Sequence, residues 1–183
     1  MIENIIKTMT KTKWNYILSF YFDIAVALGM FVLALFSELS IFTIVPLFIL
    51  GLFVFTFIEY MIHAWLFHGS IKIFVQGHAS HHRNPYGYDA LPFFTGGVVT
   101  TIIALGLALL IGFDSAMAFG AGGLLGYVSY GLMHHVMHRK DFNFKYYRYM
   151  VKLHDSHHQD IKMNHGVTTP IWDIVFGTYR PSH

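Results

Sequence analysis

The sequence predicts an all-α integral membrane protein with four transmembrane helices. The first observation is composition: of the 183 residues, 55% are hydrophobic, 17% are aromatic and 12% are charged. Charged residues make up about 25% of an ordinary soluble domain. The second observation is a succession of four apolar runs, and the third is the placement of the basic residues around them. Together they exclude a typical soluble protein.

The four apolar runs are about as long as a membrane-spanning helix, which needs roughly 20 residues. They cover residues 16–36, 41–62, 93–111 and 116–133. Short polar or glycine-containing connections separate the first run from the second and the third from the fourth. No flexible linker divides the chain, so we expect residues 1–183 to form a single domain.

The basic residues predict the orientation of the spans. Three precede the first run, two lie between the second and third, and seven follow the fourth, from Lys7, Lys11 and Lys13 through Lys72 and Arg83 to the stretch 139–180. The two short loops on the other side carry none. Because basic residues are concentrated on the cytoplasmic side, both termini should be cytoplasmic. The net charge of +2 then reflects topology, and we expect no nucleic-acid partner. We also expect no cleaved signal peptide, since residues 1–13 lead directly into a span.

Ten of the thirteen histidines form four short clusters in the part of the chain predicted to be cytoplasmic. Two clusters are HxxHH boxes and two are spaced pairs: His78, His81 and His82; His154, His157 and His158; His63 and His68; His134 and His138. On a regular helix each residue turns by about 100°. Adjacent histidines of a box therefore diverge by a quarter turn, which allows one box to serve two ions.

The same periodicity makes predictions for the two pairs. His134 and His138, four residues apart, share a face and suit a single ion. His63 and His68 are five residues apart and would point about 140° apart on a regular helix. We therefore expect His63 and His68 to bind different metals.

The histidine pattern occurs twice along the chain. In 41–82 and again in 116–158, a span ends in a histidine pair and an HxxHH box follows 10 to 16 residues later. Each half supplies five histidines. This arrangement predicts two ions with five ligands each.

The ligand chemistry narrows the kind of centre. Imidazole suits iron, zinc, copper and nickel, so ligand type alone does not name the metal. The absence of cysteine excludes thiolate zinc sites and cysteine-ligated iron–sulfur clusters. Ten histidines are too many for one zinc, which takes about three or four protein ligands. We therefore predict a cytoplasmic helical cap with a histidine-rich dimetal centre. It would lie at the cytoplasmic ends of the second and fourth spans, where a lipid chain can reach it.

Four further residues are candidates for supporting roles. Glu59 lies one turn before His63, where it would accept a hydrogen bond from the ring N–H of that histidine that does not face the metal. The alternative is an interfacial carboxylate. His135 is either a neighbour of the ligands or a surface group. Asp155 is a candidate partner of a ligand histidine; the alternative is a solvated position. His165 is either a pocket residue or a structural histidine.

Five motifs, in this order, closely resemble the fatty acid hydroxylase superfamily. They are EYMIHAWLFHG (59–69), HASHH (78–82), YGLMHHVMH (130–138), YYRYMVKLHDSHH (146–158) and HGVTTPIWDIVFGTY (165–179). The resemblance covers about residue 45 to the end of the chain. The HxxxxH spacing of the first box is most similar to the fatty acid 2-hydroxylase, or sphingolipid alpha-hydroxylase, branch.

The resemblance implies a non-haem dimetal monooxygenase that uses O2 and two electrons to hydroxylate a fatty acyl chain, at the 2-position of a free or sphingolipid-bound acid. Iron would support activity, and zinc is an alternative bound ion. The implied ligands are His63, His78, His81, His154 and His157 for one ion and His68, His82, His134, His138 and His158 for the other. The chain lacks the fused cytochrome domain of some relatives, so the electron donor would be a separate protein. No catalytic side chain is expected beyond the ligands.

Three alternatives remain open at this stage. A sterol or carotenoid hydroxylase or desaturase of the same superfamily would share the boxes. A membrane zinc metallohydrolase would work without O2 or reductant, but it commonly uses a bridging carboxylate that is missing here. A non-catalytic metal-binding or transport protein would place histidines along the spans and not in clusters at one end.

Overall fold

The computed structural model describes residues 10–88 and 90–181, except for the side chain of Ile73; Lys7, used above for orientation, lies outside this range. The described residues are helical and contain no strand. The helices are α1 (Lys13–Leu35), α2 (Ile41–Met61), a π-helical turn (Ile62–Phe67), α3 (Lys72–Arg83), α4 (Thr95–Ile111), α5 (Phe113–Met137), α6 (Lys145–Gln159) and α7 (Ile171–Phe176). The predicted all-α class is confirmed.

Three segments are long and apolar enough to cross a membrane: Lys13–Leu35, Ile41–Phe67 and Phe113–Met137. They correspond to three of the four predicted spans. The fourth, α4, has 17 residues and is about 26 Å long at 1.5 Å per residue, shorter than the roughly 30 Å hydrocarbon core. It is shorter than expected because Phe93 and Phe94 lie in a turn, closed where Thr95 N–H donates to the Pro92 carbonyl.

By its internal contacts the chain divides into two compact units, residues 1–55 with 88–128 and residues 56–87 with 129–183. The first unit holds α1, α4 and the N-terminal parts of α2 and α5. Its core is built from small and flexible side chains, among them Met30, Ala34, Ala104 and Ala121. Many larger apolar side chains on α1, α2 and α4 are exposed, such as Leu33, Phe53 and Ile102, as expected of helices that face lipid.

Glycines let α2 and α5 approach until their backbones touch. A Cβ atom at Gly122 would lie 1.9 Å from the Phe48 carbonyl oxygen, and one at Gly51 would lie 2.1 Å from the Phe119 oxygen. Neither position has room for a side chain. Without a hydrophobic force between helices in lipid, such close contact of small residues stabilises helix pairs.

Two polar residues of α1 hold the chain where it enters α4. The Asn15 amide donates to the Leu91 carbonyl at 2.8 Å and accepts from Phe93 N–H at 2.9 Å. Buried Asp23 accepts from Gly97 N–H at 2.7 Å. Because Phe94, at the N-cap of α4, makes no capping side-chain bond, Asp23 satisfies one of the free N–H groups of that helix end.

The second unit contains the short helices α3, α6 and α7. Helix α6 is amphipathic: Tyr147, Met150 and Leu153 are buried, while Arg148 and Lys152 on the opposite face are exposed. These apolar residues pack with Met137 and Val167 into the core of the unit. The same buried face carries His154 and His157, so burial of this face also positions two of the histidines.

Candidate metal centre

All ten clustered histidines belong to the second unit, where they form two groups. Within each group, one ring nitrogen from every histidine lies within 4.8 Å of the others. The first group is His63, His68, His78, His82 and His157; the second group is His81, His134, His138, His154 and His158. Two groups of five are what the repeated pattern predicted, but their membership differs from the prediction.

The prediction that His63 and His68 serve different ions is wrong, because the helix between them is not regular. Residues 62–67 form a π-helical turn, in which hydrogen bonds join residues five apart. Five residues then make about one turn, so the two side chains lie on the same face. Their rings stack at a centroid distance of 5.2 Å and an angle of 28°.

Each HxxHH box is divided between the groups, as periodicity predicted for adjacent histidines. His78 and His82, four apart, lie in the first group, while His81 lies in the second. In the other box His154 and His158 lie in the second group and His157 in the first. The ligand sets implied by the resemblance are therefore corrected: His68 and His82 belong with His63, and His81 and His154 belong with His134.

The ring nitrogens are spaced as ligands of one ion would be. The Nε2 atoms of His63 and His78 lie 2.9 Å apart, those of His78 and His82 3.0 Å, and those of His138 and His154 3.1 Å. Nitrogens bound to an ion at about 2.1 Å lie about 3.0 Å apart at 90° and about 3.4 Å apart at a tetrahedral angle. The spacing fits five- or six-coordinate ions better than tetrahedral zinc.

Two buried atoms of the second group support this fit. In the part of the chain that the structure describes, Nε2 of His81 and Nε2 of His134 have no hydrogen-bond partner. A buried polar atom without a partner costs free energy. A bound ion would satisfy both atoms, so the residues present fit a metal.

Four of the clustered histidines outside the span-length segments have pKa values lowered by their surroundings. Burial, followed by the neighbouring imidazoles, lowers the pKa of His68 to about 4 and that of His81 to about 3. Burial lowers the pKa of His158 to about 4, with His82 contributing, and burial with Arg139 does the same for His138. A neutral ring keeps the lone pair that a metal requires.

The outer nitrogens of two first-group histidines contact backbone carbonyls. Nδ1 of His63 lies 2.6 Å from the His165 oxygen, and Nδ1 of His157 lies 2.8 Å from the Met163 oxygen. Only a protonated Nδ1 can donate to a carbonyl, so both Nε2 atoms are left free for a metal. The sequence reasoning missed these acceptors because backbone carbonyls leave no trace in residue type.

The expected contact between Glu59 and the His63 ring is not formed. The buried Glu59 carboxylate instead accepts from the backbone N–H groups of Val167 and Thr168, at 2.6 and 2.9 Å, and from the Thr168 hydroxyl. Glu59 thus acts on the segment 163–168 that supplies the carbonyls for His63 and His157. Its influence on the first group is indirect.

Two further buried residues fix the segment 163–168. Asp173 accepts from the N–H groups of His165 and Gly166 at 2.7 and 2.8 Å. Asn164, with a φ of 53°, donates to the Ser156 hydroxyl and accepts from Arg180 N–H. Asn adopts this left-handed conformation more readily than most residues. The asparagine itself is the only feature of the sequence that indicates this role.

Comparison with known proteins identifies the family. The family model described as fatty acid hydroxylase matches residues 48–178, which contain both histidine groups. The chain belongs to the fatty acid hydroxylase family. The resemblance of the five motifs is thereby confirmed.

Curated members of this fatty acid hydroxylase family are similar over most of the chain. The Arabidopsis thaliana dihydroceramide fatty acyl 2-hydroxylase FAH1 is 33% identical over 74% of the chain and 61% of the relative. The Rattus norvegicus fatty acid 2-hydroxylase is 33% identical over 75% of the chain and 40% of the relative. The Schizosaccharomyces pombe ceramide very long chain fatty acid hydroxylase scs7 is 28% identical over 99% of the chain and 55% of the relative. The chain therefore spans only part of the length of these proteins.

A solved hydroxylase structure has the same fold. The structure described as full-length scs7p, with only its hydroxylase domain visible, superimposes with a TM-score of 0.81 and 29% identity. The match covers 100% of this chain and 72% of the other.

The remaining candidate residues of this hydroxylase family member lie outside the two groups. The His165 ring is buried: its Nε2 lies 3.1 Å from the Ile161 oxygen, and its centroid lies 5.3 Å from that of His157. His135 is half-buried, and its carbonyl accepts from Arg139. Asp155 is exposed on α6. The His165 ring thus lies beside the first group of histidines.

Arg139 was not singled out by the sequence reasoning. Its guanidinium donates to the carbonyls of Tyr86 and Gly87 and to that of His135. It thereby ties the end of α5, which carries His134, to the loop that follows the first HxxHH box. A single arginine directly after a histidine cluster gave no indication of this role.

Proposed function

We propose that this chain is an O2-dependent dimetal monooxygenase that hydroxylates a fatty acyl chain at the 2-position of a free or sphingolipid-bound acid. The observation that carries the proposal is the pair of five-histidine groups, with Nε2 atoms 2.9 to 3.1 Å apart. The names of the curated relatives, which are fatty acid and dihydroceramide 2-hydroxylases, support the reaction and the substrate class.

The histidines would do three things in this reaction. Each group would hold one ion, through one ring nitrogen from each of its five histidines. They add no negative charge, since all ten are neutral ligands. Adjacent histidines such as His81 and His82 belong to different groups, so each HxxHH box would contribute ligands to both ions. When bound, the two ions supply the activation of O2, and iron is the metal we expect for activity.

The overall balance of hydroxylation requires a reductant. One atom of O2 enters the C–H bond of the acyl carbon and the other leaves as water, which consumes two electrons and two protons. Among the described residues both groups consist of histidines alone, and imidazole does not supply electrons. We therefore assign the delivery of electrons to a separate electron-transfer protein.

The membrane supplies the substrate. We propose four spans, with α4 as the fourth, and with the termini and all histidine clusters on the cytoplasmic side. In support, His63 lies in the last turn of the span-length segment Ile41–Phe67 and His134 in that of Phe113–Met137. A lipid chain is the substrate that such a position can receive.

The test is a product analysis in cells that lack 2-hydroxylated lipids. Expression of the chain with a reductase should produce acyl lipids with one additional oxygen, and fragmentation should locate it on carbon 2. The variant His157→Ala, which lacks one proposed metal ligand, should produce none. A hydroxyl on another carbon would correct the regiochemistry; a new hydroxyl on sterols or carotenoids alone would overturn the acyl substrate.

A further inference from the structure

We propose that the two histidine groups are not equivalent: the segment 163–168 presets the first group, so an ion bound there is held more tightly than an ion bound by the second group. This inference rests on the proposed dimetal centre. It assigns Glu59 and Thr168 as positioning residues for one of the two ions.

Backbone carbonyls select the tautomer of two first-group rings. A neutral imidazole has one N–H, and metal binding through Nε2 requires that hydrogen on Nδ1. In His63 and His157 the acceptors His165 O and Met163 O, at 2.6 and 2.8 Å, already select this form. Both rings are therefore oriented for a metal before an ion binds.

Two buried carboxylates hold the segment that carries these carbonyls. Glu59 accepts from two of its N–H groups and from the Thr168 hydroxyl, and Asp173 accepts from two more N–H groups. Both carboxylates are buried, at 3% and 1% exposure. A Cβ at Gly166 would lie 2.1 Å from the Thr169 oxygen, so this position requires glycine. The segment is fixed by contacts that do not include the ligands.

The second group differs from the first in the outer contacts of His154. His154 is completely buried, and among the described residues its Nδ1 has no hydrogen-bond partner. Its Nε2 lies 3.1 Å from Nε2 of His138 and from Nε2 of His158, so without an ion it can donate there. Binding of an ion moves the hydrogen to Nδ1, where no acceptor is present. Binding of an ion to the second group therefore leaves a buried N–H without an acceptor, which weakens binding. Binding of an ion to the first group does not carry this penalty at His63 or His157.

The expected size of the difference follows from known outer contacts of metal ligands. Loss of a partner of a ligating histidine typically weakens metal binding about 10- to 100-fold. The first group has two such partners in the segment 163–168. We therefore expect the two ions to be released at rates that differ by about 10-fold or more.

The experiment measures the release of zinc, which is redox-inert, from the zinc-loaded full chain in detergent. A fixed excess of EDTA is added and protein-bound zinc is measured over time after gel filtration. The wild type should lose one ion rapidly and the other slowly. Glu59→Leu should accelerate the slow phase about 10- to 100-fold and leave the fast phase unchanged.

Three variants separate positioning from general destabilisation. Glu59→Gln keeps an oxygen for the two N–H groups and should retain the slow phase. Asp23→Leu removes a carboxylate that is equally buried and also accepts a backbone N–H, but it should change neither phase. His158→Ala should abolish the fast phase alone. If Glu59→Leu does not fold, Thr168→Val, which removes only the hydroxyl donor, should still accelerate the slow phase.

Release of both ions in one phase, or equal acceleration of both phases by Glu59→Leu, would overturn this inference alone. The same holds if Asp23→Leu reproduces the effect of Glu59→Leu. A wild-type protein that binds fewer than two ions would overturn the inference together with the proposed dimetal centre.

Discussion

Adjacent histidines of this chain have different surroundings. His134 lies in the second group, and its ring is packed 4.3 Å, centroid to centroid, from that of His81. His135, one residue later, belongs to neither group and is half-buried. Since successive residues of a helix point about 100° apart, one of two neighbours can be a ligand while the other is not.

We therefore expect His134→Ala and His135→Ala to differ in metal content. His134→Ala removes a ligand and should lower the bound metal from two ions per chain to about one, with loss of hydroxylation. His135→Ala should keep both ions and at least half of the activity. Metal analysis of the purified variants measures this directly. Equal metal loss in both variants would contradict the assignment of the second group.

The gathering of the ten clustered histidines into two groups of five could be predicted from the sequence, because histidine spacing is a property of residue type. The contacts that orient His63 and His157 could not, since both acceptors are backbone carbonyls brought close by the fold. Glu59 was singled out for a contact with the His63 ring that the structure does not contain. Its partners, Val167 and Thr168, lie more than 100 residues away along the chain, so no local pattern pointed to them.

At the scale of the element, the π-helical turn Ile62–Phe67 decides which histidines act together. A regular α-helix would separate His63 from His68 by about 140°, which is why their assignment from periodicity was wrong. A π-turn absorbs one additional residue within a helix and is frequent at functional sites. Such a turn cannot be recognised by hydrophobic periodicity, because it changes the period itself.

The π-helical turn predicts how the number of residues between His63 and His68 affects metal binding. Deletion of Ala64 should convert the π-turn to an α-turn in which the histidines are four apart and still share a face. Metal content should remain two ions per chain. Insertion of one alanine after Ala64 places the histidines six apart, on diverging faces, and should lose the first-group ion.

Metal analysis and the slow phase of zinc release distinguish these outcomes. The insertion variant is the matched control, since it alters the same peptide by the same number of residues. Loss of the first-group ion in the deletion variant but not in the insertion variant would contradict the role of the turn.

At the scale of the whole molecule, composition and the four apolar runs predicted the helical class, and three span-length helices agree with them. The fourth run was read as longer than the helix that forms. Its first residues, Phe93 and Phe94, are apolar but lie in a turn, and hydropathy alone does not distinguish an apolar turn from an apolar helix.

The proposed topology is testable because the chain contains no cysteine. Single cysteines introduced at exposed Glu38, between α1 and α2, and at exposed Lys152, on α6, should be labelled from opposite sides of a sealed membrane. Lys152→Cys should react from the cytoplasmic side and Glu38→Cys from the other. In the four-span arrangement three spans lie between Glu38 and Lys152, so the two positions face opposite sides. Labelling of both cysteines from one side would therefore contradict this arrangement.

The origin of the inserted oxygen tests the central claim most directly. Purified, iron-loaded protein is supplied with a fatty acyl lipid, a reductant and isotopically labelled O2, with His157→Ala as the control. The account predicts a 2-hydroxy acyl product that carries the label, that requires the reductant and that is missing with His157→Ala. A 2-hydroxy product whose added oxygen comes from water would contradict the oxygenase. Cleavage of the acyl lipid by water, without O2 or reductant and without a new hydroxyl on the chain, would favour a hydrolase.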